Sequence, residues 1–369
     1  MLPAGQEDTW AWWVRDHETA QRVYRDDSTF LRGTADGVLP FLRLAPLILV
    51  QDGPHHKKLR SLVNREFTRP RIDRFRPAIE ALADRRLQAL IAAGEPGDLV
   101  DLLAWPLSLH AIAELLGAPE EGREQFGAWG DMLLSTGPDR AAQNATAMAE
   151  MAGYAARLMD ERSGDPGQDV VSAAVANAEH HGIDKQEAAL LIASLVIAGW
   201  ETTAAAIGAS VYKLLTTHDT DGSTLYQRLC ASPGLIPTAV EELLRVIPNS
   251  WMETGQPRRA ARDVELAGVL VKAQDLVLVA HDAANRDAAV FDDPHSIDLA
   301  RTPNPHLAFG SGVHFCLGAH LARLELNVAL EKLTQEMPGL RLAADEISWN
   351  RDTPIRRPEA LPVAWSLSI

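Results

Sequence analysis

The sequence predicts a mainly α fold with a small β region, forming one domain over residues 1–369. Three observations carry this expectation. Residues 71–160 are dominated by Ala, Leu, Arg and Glu with apolar positions at helical spacing. A long apolar stretch begins at Asp184 and runs to about Thr217 behind a helix-start signature. Alternating, β-branched runs are confined to residues 258–280 and 361–367. Hydrophobic residues make up 46% of 369, enough for a sizeable core.

Taken in order, Trp10, Trp12 and Trp13 read as residues packing an N-terminal helix. Ser163-Gly-Asp-Pro-Gly-Gln168 breaks the first helical region. Asp184, with Glu187 three residues on, has the form of a capping box, and Ile183 is placed as a staple. The helix that follows should be about 50 Å long at about 1.5 Å per residue. Asp219 to Ser223 is a polar loop, and a further helix is expected over Ile236 to Val246. Val264, Leu266, Val269, Val271 and Leu276 to Leu278 suggest short strands. Pro and Asp are dense from Asp287 to Pro305, which reads as an irregular meander. A helix is expected from Ala319 to about Glu336, and a last short strand from Leu361 to Leu367.

Charge and cysteine count exclude several classes. A net charge of −15 argues against nucleic acid as a partner. Two cysteines, Cys230 and Cys316, cannot build a disulfide framework, which suits a reducing compartment. The apolar run Ala188 to Trp200 is interrupted by Ser194 and Gly199 and falls short of the roughly 20 residues of a membrane span. The start, Met-Leu-Pro-Ala-Gly-Gln-Glu-Asp, has neither a basic n-region nor an apolar h-region. The expectation is a cytoplasmic protein without membrane association.

The most specific segment is residues 309–318, Phe-Gly-Ser-Gly-Val-His-Phe-Cys-Leu-Gly. It sets Cys316 in a glycine-rich turn before a helix, where a thiolate gains from the helix N-terminus and from uncovered backbone N–H groups. Such a sulfur suits a soft metal, haem iron included. The alternative is a buried structural cysteine. The segment resembles the haem-binding loop of the cytochromes P450. The resemblance makes Cys316 the metal ligand and Phe309, Gly310 and Gly318 residues that bind haem b.

Ala198-Gly-Trp-Glu-Thr-Thr203 lies inside the long helix. Gly199 weakens the helix by about 1 kcal/mol relative to Ala. Thr202 can bond back to the Ala198 carbonyl. A carboxylate beside a hydroxyl in an otherwise apolar helix can form a proton relay. The segment resembles the acid–alcohol pair on the P450 helix that crosses the distal haem face, which implies that Glu201 and Thr202 supply protons for dioxygen activation and that Ala198 faces the haem. The competing reading is an ordinary surface helix, but apolar residues on all sides argue for burial.

Glu242-Leu-Leu-Arg245 matches the family's Glu-x-x-Arg, at a spacing that allows a bidentate pair on one helix face. In the family it is structural, with a third partner expected from Asp298-Leu-Ala-Arg301, most simply Arg301. Three further matches imply haem-propionate ligands: His56 and Arg60 in Asp52-Gly-Pro-His-His-Lys-Lys-Leu-Arg60, Arg258 in Arg258-Arg-Ala-Ala-Arg-Asp263, and His314. Taken singly, each could be a surface charge.

The resemblance runs from about Leu49 to Leu367. It implies a P450 fold, with haem between a long distal helix and the proximal cysteine loop, oxidising a small organic, natural-product substrate. No flavin- or nicotinamide-type glycine fingerprint is present, so electrons should come from a ferredoxin and its reductase. Lys57, Lys58, Arg65, Arg69 and Arg71 form the expected basic docking patch. Trp200, Trp251, Met252 and Glu253 are the expected pocket-lining residues. Oxidative coupling in place of oxygen insertion is the rival chemistry, and a non-catalytic haem-thiolate module or a haem-free helical scaffold the rival class. Four departures from the family pattern stand out: a truncated N-terminal β region, Ser311 for a commoner histidine, a bulky Ser250-Trp-Met-Glu-Thr254, and Arg356-Arg-Pro-Glu359 where a glycine-containing turn is usual.

Overall fold

The computed structural model describes residues 2–3, 10–33, 47–120, 123–134, 141–250 and 257–366. Its centre is the helix Lys185–Thr216, 32 residues long and buried along most of its faces. Around it pack Trp105–Leu116, Ala141–Gly164 and Ala319–Glu336. A helix that is apolar on every side must be covered on every side, and its central place follows. By length and composition alone it could cross a membrane, yet 67% of its most apolar window is buried inside the protein.

The N-terminus of this helix is half of what the sequence suggests. The Asp184 carboxylate accepts from the Glu187 N–H at 2.8 Å. The reciprocal half of the box is replaced, because the Glu187 carboxylate pairs with His55 Nε2 at 3.1 Å and so ties this helix to Gly53–Ser61. A full capping box forms instead at Thr224, where Gln227 answers in both directions.

The small β region has three parts. Five strands run in the order Leu2–Pro3, Trp10–Val14, Leu276–Val279, Arg258–Ala260, Phe30–Leu31. Trp10–Val14 lies parallel to Leu276–Val279, with Ala11 opposite Leu276. The tryptophans at 10, 12 and 13 therefore belong to a strand and not to the surroundings of an N-terminal helix, and the β region is less truncated than the sequence implies. Pro362–Ala364 sits between Gly97–Asp98 and Arg341–Leu342. Val264–Leu266 and Val269–Val271 form a hairpin. Its two-residue turn has φ of 48° at Ala267 and 75° at Gly268, a geometry that matches strand twist.

The helices Ile236–Val246 and Ala319–Glu336 occupy the expected residues. The final strand, Pro362–Ala364, is shorter than expected, and the next N–H, that of Trp365, donates to the Glu95 carboxylate at 3.0 Å and not to a strand.

Candidate haem-binding site

The cysteine loop is closed by its own backbone. The Cys316 N–H donates to the Phe309 carbonyl at 2.9 Å, and the Gly310 N–H to that of Leu307 at 2.8 Å. Gly310 and Gly312 have φ of 67° and 74°. At Gly312 a Cβ would stand 2.5 Å from the Tyr24 carbonyl oxygen, so only glycine lets the first helix, His17–Arg25, approach the loop. At Gly318 a Cβ would meet nothing within 4 Å, which leaves an open face beside the sulfur. Phe309 is covered by the Arg323 guanidinium, 4.5 Å from its ring centre.

Cys316 is accessible on one side and crowded by protein on the others. That crowding pushes the thiol up, opposed by the Gly318 N–H and by Arg60 and Arg323. The glycine-rich setting alone therefore does not make the thiolate. A bound metal does so directly, since a coordinating thiol is deprotonated outright.

On the central helix most residues from Ala188 to Leu215 are buried, but Ala198 is exposed and Thr202 half-buried. The Thr202 hydroxyl donates to the Ala198 carbonyl at 2.7 Å. At Gly199 a Cβ would stand 3.0 Å from Ile112, so this glycine lets the helix close on Trp105–Leu116. Glu201 is 2% exposed, with Oε1 3.4 Å from Arg357 Nε and 3.3 Å from Thr353 Oγ1.

Trp200 is not placed to line a pocket. It is fully buried, its ring stands edge-on to Trp105 at 4.5 Å, and it fills the space a Cβ at Gly130 would need. On a helix with apolar residues all round, spacing does not say which face meets a substrate. Trp251, Met252 and Glu253 lie outside the described residues.

The expected propionate ligands converge. Arg258 is 1% exposed, its guanidinium stacked 4.9 Å from the Tyr24 ring centre. His56 and His314 are buried with ring centres 4.1 Å apart. Arg60 donates to the Phe315 carbonyl at 2.6 Å and to Asn64 at 3.1 Å. One member was not expected: Arg32, which follows the two-residue strand Phe30–Leu31. It donates to the Leu49 carbonyl at 3.2 Å. Nothing local in the sequence marks it; only its meeting with Arg258 in space does.

These groups crowd one another. Burial first, then Arg258, pushes Arg32 down to about 9. Burial, then His314, Arg60 and Arg32, pushes His56 to about 3, and burial pushes His314 to about 4. Among the described residues, Arg258 Nε and Nη2, Arg32 Nε and His56 Nδ1 are buried without a hydrogen-bond acceptor. The nearby carboxylate, Asp52, has one oxygen on the Arg32 and Gly33 N–H groups, while the other is 3.5 Å from His314 Nε2, too far for a firm bond. Buried cations need anions. A cofactor carrying two carboxylates would meet these donors, and its metal the Cys316 sulfur beside the open face of Gly318. The residues fit haem.

The Glu242 cluster behaves differently. Arg245 holds the Glu242 carboxylate at 2.8 and 2.7 Å, and Arg301 reaches it at 3.1 and 3.2 Å. The Asp298 N–H and the Asn304 amide add bonds at 2.9 and 3.1 Å. The remaining Arg245 N–H groups go to the carbonyls of Asn285, Pro294 and Ser296. The expected Glu242–Arg245–Arg301 triad is formed, and it pins the irregular meander to the helix Ile236–Val246.

A thiol just before the helix Ala319–Glu336, together with a cluster of buried cations that lack acceptors, is the donor set a haem-thiolate protein needs. Comparison with known proteins agrees. The family model Cytochrome P450 matches residues 234–337. Nocardicin C N-oxygenase of Nocardia uniformis subsp. tsuyamanensis is 40% identical over 99% of this chain and 91% of its own. Mycinamicin IV hydroxylase/epoxidase of Micromonospora griseorubida is 40% identical over 98% and 91%. The crystal structure of a cytochrome P450 with biaryl coupling reactivity superposes with a TM-score of 0.87 at 36% identity, over 96% of this chain and 90% of that one. The chain belongs to the cytochrome P450 family. It has that family's fold, its monooxygenase class and its haem b cofactor.

Proposed function

We propose that the protein oxidises a small natural-product substrate, with dioxygen as oxidant and electrons from a ferredoxin and its reductase, in the cytoplasm. The observation that carries this reading is the convergence of Cys316, the open face of Gly318 and the unmatched donors of Arg258, Arg32 and His56. When bound, haem supplies the dioxygen-activating chemistry.

The chain's own residues then have distinct tasks. Cys316 ligates the iron. Arg258, Arg60, His56 and His314, with Arg32 added, neutralise the propionates, while Phe309, Gly310 and Gly318 shape the loop. Thr202 spends its hydroxyl hydrogen on the Ala198 carbonyl, which leaves its oxygen free to accept a hydrogen bond on the accessible side. Glu201, one residue away, is the acid that replenishes protons there. The relatives' substrates, nocardicin C and mycinamicin IV, support the natural-product class. The biaryl-coupling relative supports oxidative coupling as a second reading.

The docking surface for the ferredoxin is smaller than the sequence suggests. Lys57, Lys58, Arg65 and Arg69 are exposed, whereas Arg71 is half-buried in a pair with Glu66 at 3.1 Å. Phe315, 38% exposed and hydrogen-bonded through its carbonyl to Arg60, offers an apolar contact beside them.

One preparation tests all of this. The reduced, carbon monoxide-bound protein should show the red-shifted Soret band of thiolate ligation, and Cys316→Ala should lose it. A mutant that keeps the band places the ligand elsewhere. Product mass separates a gain of oxygen from a loss of two hydrogens. Reduction by an acidic ferredoxin should slow as salt rises, and a rate indifferent to salt would remove the basic patch from the reading.

A further inference from the structure

A neutral polar pair stands behind the buried arginines. The helix His17–Arg25 is seated on the cysteine loop, with the Tyr24 carbonyl against Gly312 and Arg25 Nε donating to Ser311 Oγ at 3.2 Å. The Tyr24 side chain is 2% exposed, its ring centre lies 4.9 Å from the Arg258 guanidinium, and its hydroxyl is hydrogen-bonded to His281 Nε2. His281 opens the short helix His281–Ala284, directly after the strand Leu276–Val279 that pairs with Arg258–Ala260. The sheet thus brings the imidazole close to Arg258. Protein surrounds His281, and the surface it retains faces inward. Arg32 and Cys316 share this property. His281 feels the charge of Arg32, Arg32 that of Arg60, and Arg60 that of Cys316, so the three line one interior space.

Burial keeps the Tyr24 phenol protonated, and burial with Arg32 and Arg258 pushes His281 down to about 4. Both are neutral at neutral pH. The imidazole nitrogen is the better acceptor and the phenol the better donor, so the Tyr24 O–H donates to Nε2 and the ring proton is confined to Nδ1. Among the described residues Nδ1 has no acceptor, and it is not sealed from the interior space.

We propose that His281 is a further cofactor-binding residue, giving its Nδ1–H to the haem carboxylate that Arg258 and Arg32 meet, with Tyr24 as the positioning residue that fixes its tautomer. The assignment rests on reading Arg258 as a propionate ligand. A neutral donor suits this place. Arg258 and Arg32 already repel one another, and a third cation would add to that repulsion, whereas a neutral N–H adds a hydrogen bond to the carboxylate without adding charge. Tyr24 serves the carboxylate twice, with its ring against one donor and its hydroxyl behind the other.

Two readouts of the haem-loaded enzyme test the assignment: haem transfer to a scavenging globin, and the propionate bending band in resonance Raman spectra. His281→Leu should speed transfer by about tenfold, the loss of one hydrogen bond to a charged acceptor, and should shift the band. His281→Asn keeps an N–H near the place of Nδ1 and should restore both. Tyr24→Phe keeps the ring against Arg258 and should speed transfer about twofold, because the imidazole then divides between two tautomers. That effect should vanish in the His281→Asn background, which has no tautomer to fix; a packing role for Tyr24 would leave it unchanged there. The carbon monoxide spectrum of each variant should match the parent, and where His281→Leu does not fold, the cycle of Tyr24→Phe with His281→Asn decides. If Arg258→Met shifts the band but His281→Leu leaves both band and transfer as in the parent, or if Tyr24→Phe acts equally in the two backgrounds, the assignment is wrong and Arg258 keeps its role. If Arg258→Met moves neither readout, the propionate reading of the cluster falls and the assignment falls with it.

Discussion

Two buried arginine clusters in this molecule differ in one respect. Around Glu242 the bonds close within the chain: Arg245, Arg301, Asn304 and the Asp298 N–H share one carboxylate, and leftover guanidinium donors find carbonyls. Around Arg258 the cations outnumber the anions, and Arg258, Arg32 and His56 keep buried donors without acceptors. Burial and charge are alike in the two places. Closure is what separates a structural cluster from one built for a ligand, because a group that is buried and unmatched costs stability unless something else meets it.

Breaking the closed cluster should have the largest effect. Glu242→Ala strands two arginines that are 0% and 10% exposed at the side chain and should cost about 3–5 kcal/mol in denaturant unfolding, with and without haem. A loss seen only in the haem-loaded form would erase the distinction between the clusters. Breaking the open cluster should have the opposite profile. Arg258→Met should leave the haem-free protein as stable as the parent or more so, while haem transfer to a scavenging globin speeds up by about tenfold to a hundredfold, the effect of losing a charged hydrogen bond worth about 1.5–3 kcal/mol. An Arg258→Met apoprotein that unfolds more readily than the parent would make Arg258 a structural residue.

The smallest effect sharpens the comparison by pH. Glu241 lies next to the closed cluster. Burial raises it, but His306 and Arg323 outweigh burial and hold it down at about 2 against an ordinary 4.5. A depressed carboxyl stabilises the fold above its unfolded value, and that contribution is lost as pH falls toward the folded value. Glu241→Gln should therefore lower stability by about 2 kcal/mol near neutral pH, allowing for its partial exposure, with the gap to the parent closing between pH 4.5 and about 2. A gap that persists at pH 2 would show that the loss is one of packing.

What was legible in the sequence is what is local. The cysteine loop, the Glu242–Arg245 spacing and the caps at Asp184 are short-range patterns with direct physical meaning, and the helices Ile236–Val246 and Ala319–Glu336 appear where periodicity places them. What escaped is long-range. Arg32 and Arg258 meet through strands of two and three residues. Arg357 and Glu201 are 156 positions apart. Trp10–Val14 shows no clean alternation because Ala11 and Val14 are buried while Trp12 and Trp13 between them are half-buried, and its parallel partner, Leu276–Val279, is distant in sequence. Trp200 was misplaced because a helix apolar on every side carries no sign of which face is functional.

Trp200 and Gly130 also bear on how this chain can change over time. A Cβ at position 130 would stand 1.9 Å from the indole, so the glycine is obligatory while the tryptophan remains. Evolution must therefore alter the two together, or shrink position 200 first. Two positions 70 residues apart thus constrain each other as one unit of volume, and lineages of this enzyme should show positions 130 and 200 changing size in opposite directions.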